Sequence, residues 1–240
     1  MVRISILFIF SILVCLQAVV FPCTAKAQIS VDNVIVHLAL GSRPVHNVIV
    51  NNSSEQTAYV QVEVKEIPHP AENAGETIAT DALLASPKAF SIEAKGQRTV
   101  RLLLKTPPQE QERVFRVGFV PQDRGFGEEF ESVSSGRKTL IRVLTGMGIL
   151  VFADPIKPRA DLKWERSGEN LIFKNDGTIH VYLGDLKSCS TPNLCEKLPS
   201  KRLYAGETYK ISIPKENTVS LLRQEGPSGE YQKLTIDPKG

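Results

Sequence analysis

Hydrophobic residues recur at every second position in short runs along almost the whole chain, and turn residues close each run. A period of two puts alternate side chains on one face of a strand, so the runs predict β-strands and not helices. In the first part of the chain they cover residues 29–40, 44–51, 58–67, 89–93, 99–105, 114–120 and 139–152. In the second they cover 160–166, 170–174, 180–186, 202–203, 208–213, 219–224 and 231–236. Segments such as Gly41-Ser42-Arg43, Pro68-His69-Pro70 and Thr106-Pro107-Pro108 supply turn chemistry between them. Two gaps are longer: residues 71–88, with a helical turn expected near 82–85, and residues 121–138, whose Gly, Glu and Ser predict a mobile loop.

Asp154-Pro155-Ile156-Lys157-Pro158 cannot continue a ladder and divides the two sets of strands. The pattern predicts an all-β chain of two immunoglobulin-like sandwiches, residues 28–154 and 158–240, joined by a hinge at 155–157. The second unit is about 80 residues long, a size at which one core is marginal and a covalent staple helps.

Residues 139–152 break the rule of alternation. One face would carry Ile141, Val143, Thr145, Met147, Ile149 and Val151, and the other Leu140, Arg142, Leu144, Gly146, Gly148, Leu150 and Phe152. A half-buried strand shows water one polar face, so two apolar faces demand a second sheet or a second protein. The expected division sends Ile141, Val143, Thr145 and Met147 to a partner and keeps Leu140, Leu144, Leu150 and Phe152 in the chain's own core.

Residues 1–27 read as a targeting segment: Arg3 is the basic start, residues 4–21 are apolar, and Ala25-Lys26-Ala27 has the small-x-small form that signal peptidase cleaves. The expected product begins at Gln28 and works outside the cytoplasm. A retained membrane anchor is the competing reading, since the apolar run is near the lower limit for spanning. Loss of the segment removes Arg3 and Lys26 and no acid, so Lys plus Arg falls from 29 to 27 against 26 acids and the net charge from +3 to +1. Basic and acidic residues interleave throughout, which implies no nucleic-acid partner.

Cys15 and Cys23 leave with that segment, and Cys189 and Cys195 remain. Two cysteines six apart in an exported chain predict a small disulfide loop. The alternative is a metal site, but His37, His46, His69 and His180 are scattered, none at ligand spacing from the pair. No nucleophile elbow, phosphate loop, zinc-protease or dinucleotide motif occurs, and Glu128, Glu129 and Glu131 lie in a polar stretch with nothing apolar to raise a pKa. No catalysis, metal or cofactor is expected. Arg101, Arg116 and Arg142 each interrupt an apolar run, where a guanidinium is costly unless paired or wet. Converging on a cleft they would form a carboxylate receptor, with Arg116 the preferred anchor; otherwise each lies on the wet face of its strand.

Ser86-Pro87-x-x-Phe90-x-Ile92-x-x-x-Gly96-x-x-x-Val100-Arg101-Leu102, then Val114 to Phe119, then the apolar strand ending at Pro155, resemble the periplasmic chaperones of chaperone–usher pilus assembly. The likeness is to the alternate class that serves colonisation-factor pili, and Leu171 to Gly177, the cysteine pair and Leu203 to Gly206 extend it through the second unit. The resemblance implies an L-shaped pair of immunoglobulin-like domains in the periplasm. By donor-strand complementation such a protein lends its last first-domain strand to a pilus subunit lacking one, and it delivers the subunit to an outer-membrane usher. The better-known branch anchors the subunit's terminal carboxylate with an arginine in the first strand and a lysine in the last; Val36 and Leu150 stand there in this chain, so that pair does not carry over. A structural pilin or adhesin is the alternative, and self-association through the uncovered strand is a further expectation.

Overall fold

The computed structural model describes residues 28–39, 44–108, 110–124, 128–134, 137–226 and 229–238, and within 128–134 and 137–142 the backbone alone. The predicted targeting segment lies outside the described residues.

Among the described residues twelve strands precede the proline-rich link. They are β1 (Ile29–Val31), β2 (Ile35–Leu38), β3 (Val45–Asn52), β4 (Ala58–Ile67), β5 (Ile78–Ala79), β6 (Leu83–Ser86), β7 (Ala89–Ile92), β8 (Gln97–Leu104), β9 (Arg113–Pro121), β10 (Glu128–Ser134), β11 (Arg137–Val143) and β12 (Met147–Ala153). Eight follow it: β13 (Leu162–Ser167), β14 (Asn170–Asn175), β15 (Val181–Thr191), β16 (Leu194–Lys197), β17 (Lys201–Leu203), β18 (Thr208–Ser212), β19 (Thr218–Glu225) and β20 (Gln232–Ile236). The first set forms a sheet ordered β1-β3-β8-β6 facing one ordered β2-β12-β9-β4-β5, with β7 also on β4. The second set forms β13-β14-β18 facing β16-β15-β19-β20, with β17 also on β15. The architecture is two β-sandwiches in series, the predicted all-β immunoglobulin-like class.

Alternation explains the cores. In β8 Val100, Leu102 and Leu104 are buried while Thr99, Arg101 and Leu103 face outward, and in β9 Phe115, Val117 and Phe119 meet them from the opposite sheet. Leu171, Phe173, Leu183, Val219 and Ile236 do the same in the second sandwich. Each sandwich also buries one asparagine. The Nδ2 of Asn52 donates to the carbonyls of Gln56, Ile92 and Glu93, and that of Asn175 to those of Ile179 and Leu203. A buried amide satisfied this way ties loops to a strand end at no desolvation cost left unmatched.

Four local expectations change. Residues 82–85 carry no helical turn: β6 occupies 83–86 because Leu83 and Ala85 point into the core beside β8. The stretch 121–138 contains β10, paired residue for residue with β11, so a hairpin partner overrides an acid-rich composition. Residues 29–40 divide at Asp32, which exchanges hydrogen bonds with the backbone of Ile49, and the chain crosses from one sheet to the other. The run 139–152 divides as well, at residues 144–146. There the chain passes so close to β9 that a Cβ on Gly146 would sit 2.9 Å from the carbonyl oxygen of Phe119, a place only glycine fills.

The predicted disulfide is present. Cys189 and Cys195 stand directly opposite each other in the β15–β16 hairpin, with Cα atoms 4.0 Å apart. Closing so short a loop removes little chain entropy, so replacing both cysteines by serine is expected to cost about 2 kcal/mol in denaturant unfolding.

Candidate functional site

β12 is held on one edge by β9 along its whole length. On the other edge β2 pairs with it only from Leu150 to Ala153, in parallel. From Ile149 back through the 144–146 link and along β11 no strand covers this edge among the described residues; β10 takes only the opposite side of β11. Backbone donors and acceptors along that margin are free to accept another strand.

The residues expected to face a partner lie on the segments that border this margin. Val143 is 46% exposed, and Thr145 in the link is exposed too. Met147 is half-buried and packs partly on the first core. Ile141 stands opposite Phe130 in the hairpin register; only its backbone is described. The division of faces expected for the core is reversed in β12. Ile149 and Val151 enter the first core, Leu150 and Phe152 turn toward the second sandwich, and Leu144 is 36% exposed. Where both faces are apolar, hydrophobicity cannot fix parity, and a one-residue slip exchanges them.

Register places the arginines. The face of β12, β9 and β4 that looks toward the second sandwich is built of rows: Phe152, Val114 and Ile67, then Leu150, Arg116 and Lys65, then Gly148, Gly118 and Glu63. Ile35 of β2 adds an exposed apolar side chain beside Leu150. Arg116 is exposed there, and its Nη2 donates to the carbonyl of Ala74 at 2.9 Å. Lys65 lies directly opposite it on the neighbouring strand. Two cations opposite each other repel, and Glu63, 3.5 Å from the Lys65 ammonium, offsets this in part. Arg101 is elsewhere: it points outward from β8 on the far sheet, with its Nε 3.4 Å from Oδ1 of Asn47. Arg142 stands opposite Glu129 in the hairpin. The structure therefore does not bring Arg101 to Arg116, because Val100 and Leu102 fill the core and turn Arg101 to the other side. Lys65 carried no signal in the sequence, being one polar residue in an alternating strand.

At the foot of the same face the two sandwiches meet. Phe152, wholly buried, packs against His37, whose ring centroid is 5.0 Å away, and His180 at 4.5 Å, and the two imidazoles are themselves 5.7 Å apart. Nδ1 of His180 is 2.7 Å from Oε2 of Glu112, and the Glu112 amide donates to the carbonyl of Thr178. The Arg202 guanidinium lies 4.9 Å above the Phe152 ring. Burial pushes His37 down to about 3, aided by His180 and Arg202, so its ring is neutral. Burial, and then the nearby Glu112 carboxylate, push the Asp154 carboxyl up to about 6, with His180 opposing.

Residues 28–155 match the family model of the pili and flagellar-assembly chaperones, PapD N-terminal domain, and the chain belongs to that family. Solved structures share its fold. The class 5 fimbriae chaperone CfaA is 18% identical, with a TM-score of 0.64 over 87% of this chain and 98% of that one. A complex of the Salmonella enterica SafA pilin with the SafB chaperone gives 14% identity and a TM-score of 0.62, covering 90% and 98% of the two chains. A chaperone and tip-adhesin complex of CFA/I fimbriae biogenesis gives 19% identity and a TM-score of 0.61, covering 89% and 98%. No curated protein sequence matches the chain.

The raised Asp154 pKa has a definite sign for stability. The folded state holds its proton up to about pH 6 and the unfolded chain only to about 3.8, so folding is favoured at low pH and loses this contribution as pH rises through 6. Relative to the wild type, Asp154→Asn should gain about 2 kcal/mol in unfolding free energy between pH 4 and pH 8. Urea unfolding at several pH values checks this, and a constant difference would refute it.

Proposed function

We propose that this protein is a periplasmic chaperone that binds a pilus subunit by lending it β11 and the uncovered part of β12, then hands it to an outer-membrane usher. The observation that carries the reading is the half-covered edge, where β2 stops at Leu150 while the strand and its hairpin run on without a partner among the described residues. A subunit with an unfinished sheet would complete its ladder on that edge. Ile141 and Val143, with Thr145 and Met147 at the near end, would enter its groove. At roughly 25 cal/mol per Å² of apolar surface, three or four such side chains supply several kcal/mol before the costs of association. The working units are residues 28–154 and 158–240, with 155–157 as the hinge, and export is by cleavage after Ala27. The reading assigns no catalysis, cofactor, metal or nucleic acid.

Arg116, with Lys65 beside it, is the favoured anchor for the subunit's terminal carboxylate. Its place in the row with Leu150 and Ile35 sets a cationic pair in an apolar face at the foot of the open edge, where a carboxylate would relieve the repulsion. The pilin reading has less support. β12 already fills its sheet between β2 and β9, whereas a pilin would leave a strand position open.

Two experiments test the assignment. In periplasmic co-expression with pilus subunits, the double variant Ile141→Asp, Val143→Asp should recover at least about tenfold less subunit, since charge in an apolar groove is heavily penalised. Equal recovery would count decisively against strand lending. Arg116→Ala should weaken capture by about 2 kcal/mol, the worth of a hydrogen bond to a charged group, and Arg101→Ala should leave it unchanged. Undiminished binding by Arg116→Ala would remove that anchor.

A further inference from the structure

The joint between the sandwiches buries more ionisable groups than its hydrogen bonds satisfy. Glu112 and His180 are 3% and 4% exposed in their side chains and share one contact of 2.7 Å, which needs a proton between oxygen and nitrogen. The other Glu112 oxygen, Oε1, is buried with no hydrogen-bond partner. Asp154, which follows β12 and precedes the hinge proline, is 6% exposed, and its Oδ1 is also buried and unpartnered. A protonated carboxyl tolerates such a site, whereas an ionised one there is strongly disfavoured.

The surroundings offer Asp154 little relief. β2 presents His37, held neutral by burial, and the segment before β9 presents Glu112, a like charge. From the second sandwich come His180, already engaged by Glu112, Tyr204, and Arg202, whose guanidinium lies over the Phe152 and Tyr182 rings. Parting the sandwiches would return both carboxylates to water.

We infer that this joint is a proton-dependent latch: with Asp154 protonated the two sandwiches are locked together as one body, and ionisation of Asp154 beside Glu112 loosens them about residues 155–157. The Asp154 pKa of about 6 sets the window, so the latch releases as pH rises from 5 toward 8. Its consequence is a second sandwich whose angle to the Arg116 face depends on pH. The latch stands on the joint alone, whatever binds the open edge.

Residual dipolar couplings on the whole exported protein test it. In the wild type both sandwiches should report one alignment tensor at pH 5 and two different tensors at pH 8. Asp154→Asn should report one tensor at both. Glu112→Gln, which keeps an oxygen for His180 and removes the like charge that raises the Asp154 pKa, should move the Asp154 midpoint and the tensor change to lower pH. Carboxyl chemical shifts of wild-type Asp154 give a reading that needs no variant to fold, and their midpoint should coincide with the tensor change. Tensors that do not vary with pH in the wild type, or an unaltered pH response in Asp154→Asn, would overturn the latch, as would an Asp154 midpoint near the ordinary carboxylate value.

Discussion

The structure depends on what is asked of β12. Its Ile149 and Val151 complete the first core, its Leu150 and Phe152 form the contact with the second sandwich, and its backbone joins β9 on one edge and a short β2 on the other. A strand with both faces buried and one edge half covered has its only remaining freedom along that edge. The mismatch in length between β2 and the β12–β11 run thus leaves that edge open, and Gly146 lets the chain step past β9 to carry it on.

The joint follows from the same strand. Phe152 needs cover, and the second sandwich provides it with His180, Tyr204 and Arg202 in place of aliphatic side chains. An apolar ring thereby brings polar and charged groups into a dry space, where Glu112 and His180 share one contact and the second Glu112 oxygen and Asp154 Oδ1 are left over. A wholly aliphatic contact would be indifferent to pH. This one encloses the Asp154 carboxyl, whose pKa burial pushes up to about 6, so the proposed latch couples association of the sandwiches to one titration.

Charge placement on the faces shows how a sandwich sorts similar residues. Arg101 and Arg116 sit in near-identical apolar contexts, Val-Arg-Leu and Phe-Arg-Val, yet they lie on opposite outer faces. Each points away from the core its neighbours fill. β9 sets Arg116 in a row with Leu150 and Lys65 on the outer face that also carries Phe152, whereas Arg101 points outward from β8 on the far sheet. Membership of the pilus-assembly chaperone family agrees with a chain that keeps one face and one edge for another protein.

Period-two patterning, turn residues and the proline-rich link were enough to establish two all-β units, and the spacing of Cys189 and Cys195 the disulfide, because these rest on local preference and short separations; the family resemblance came from motifs such as Ser86-Pro87 to Leu102 and Val114 to Phe119. The singular character of residues 139–152 was legible too, since an apolar run on both faces has no place in a lone wet sheet. Parity within that run, its break at Gly146, the strand β10 in an acidic stretch, and the pairing of Lys65 with Arg116 were decided by tertiary structure. Each turns on which strand lies alongside, a contact between residues distant in the chain. The dry joint around Asp154 is the extreme case, because an acid beside a proline reads as a solvated turn until a second sandwich closes over it.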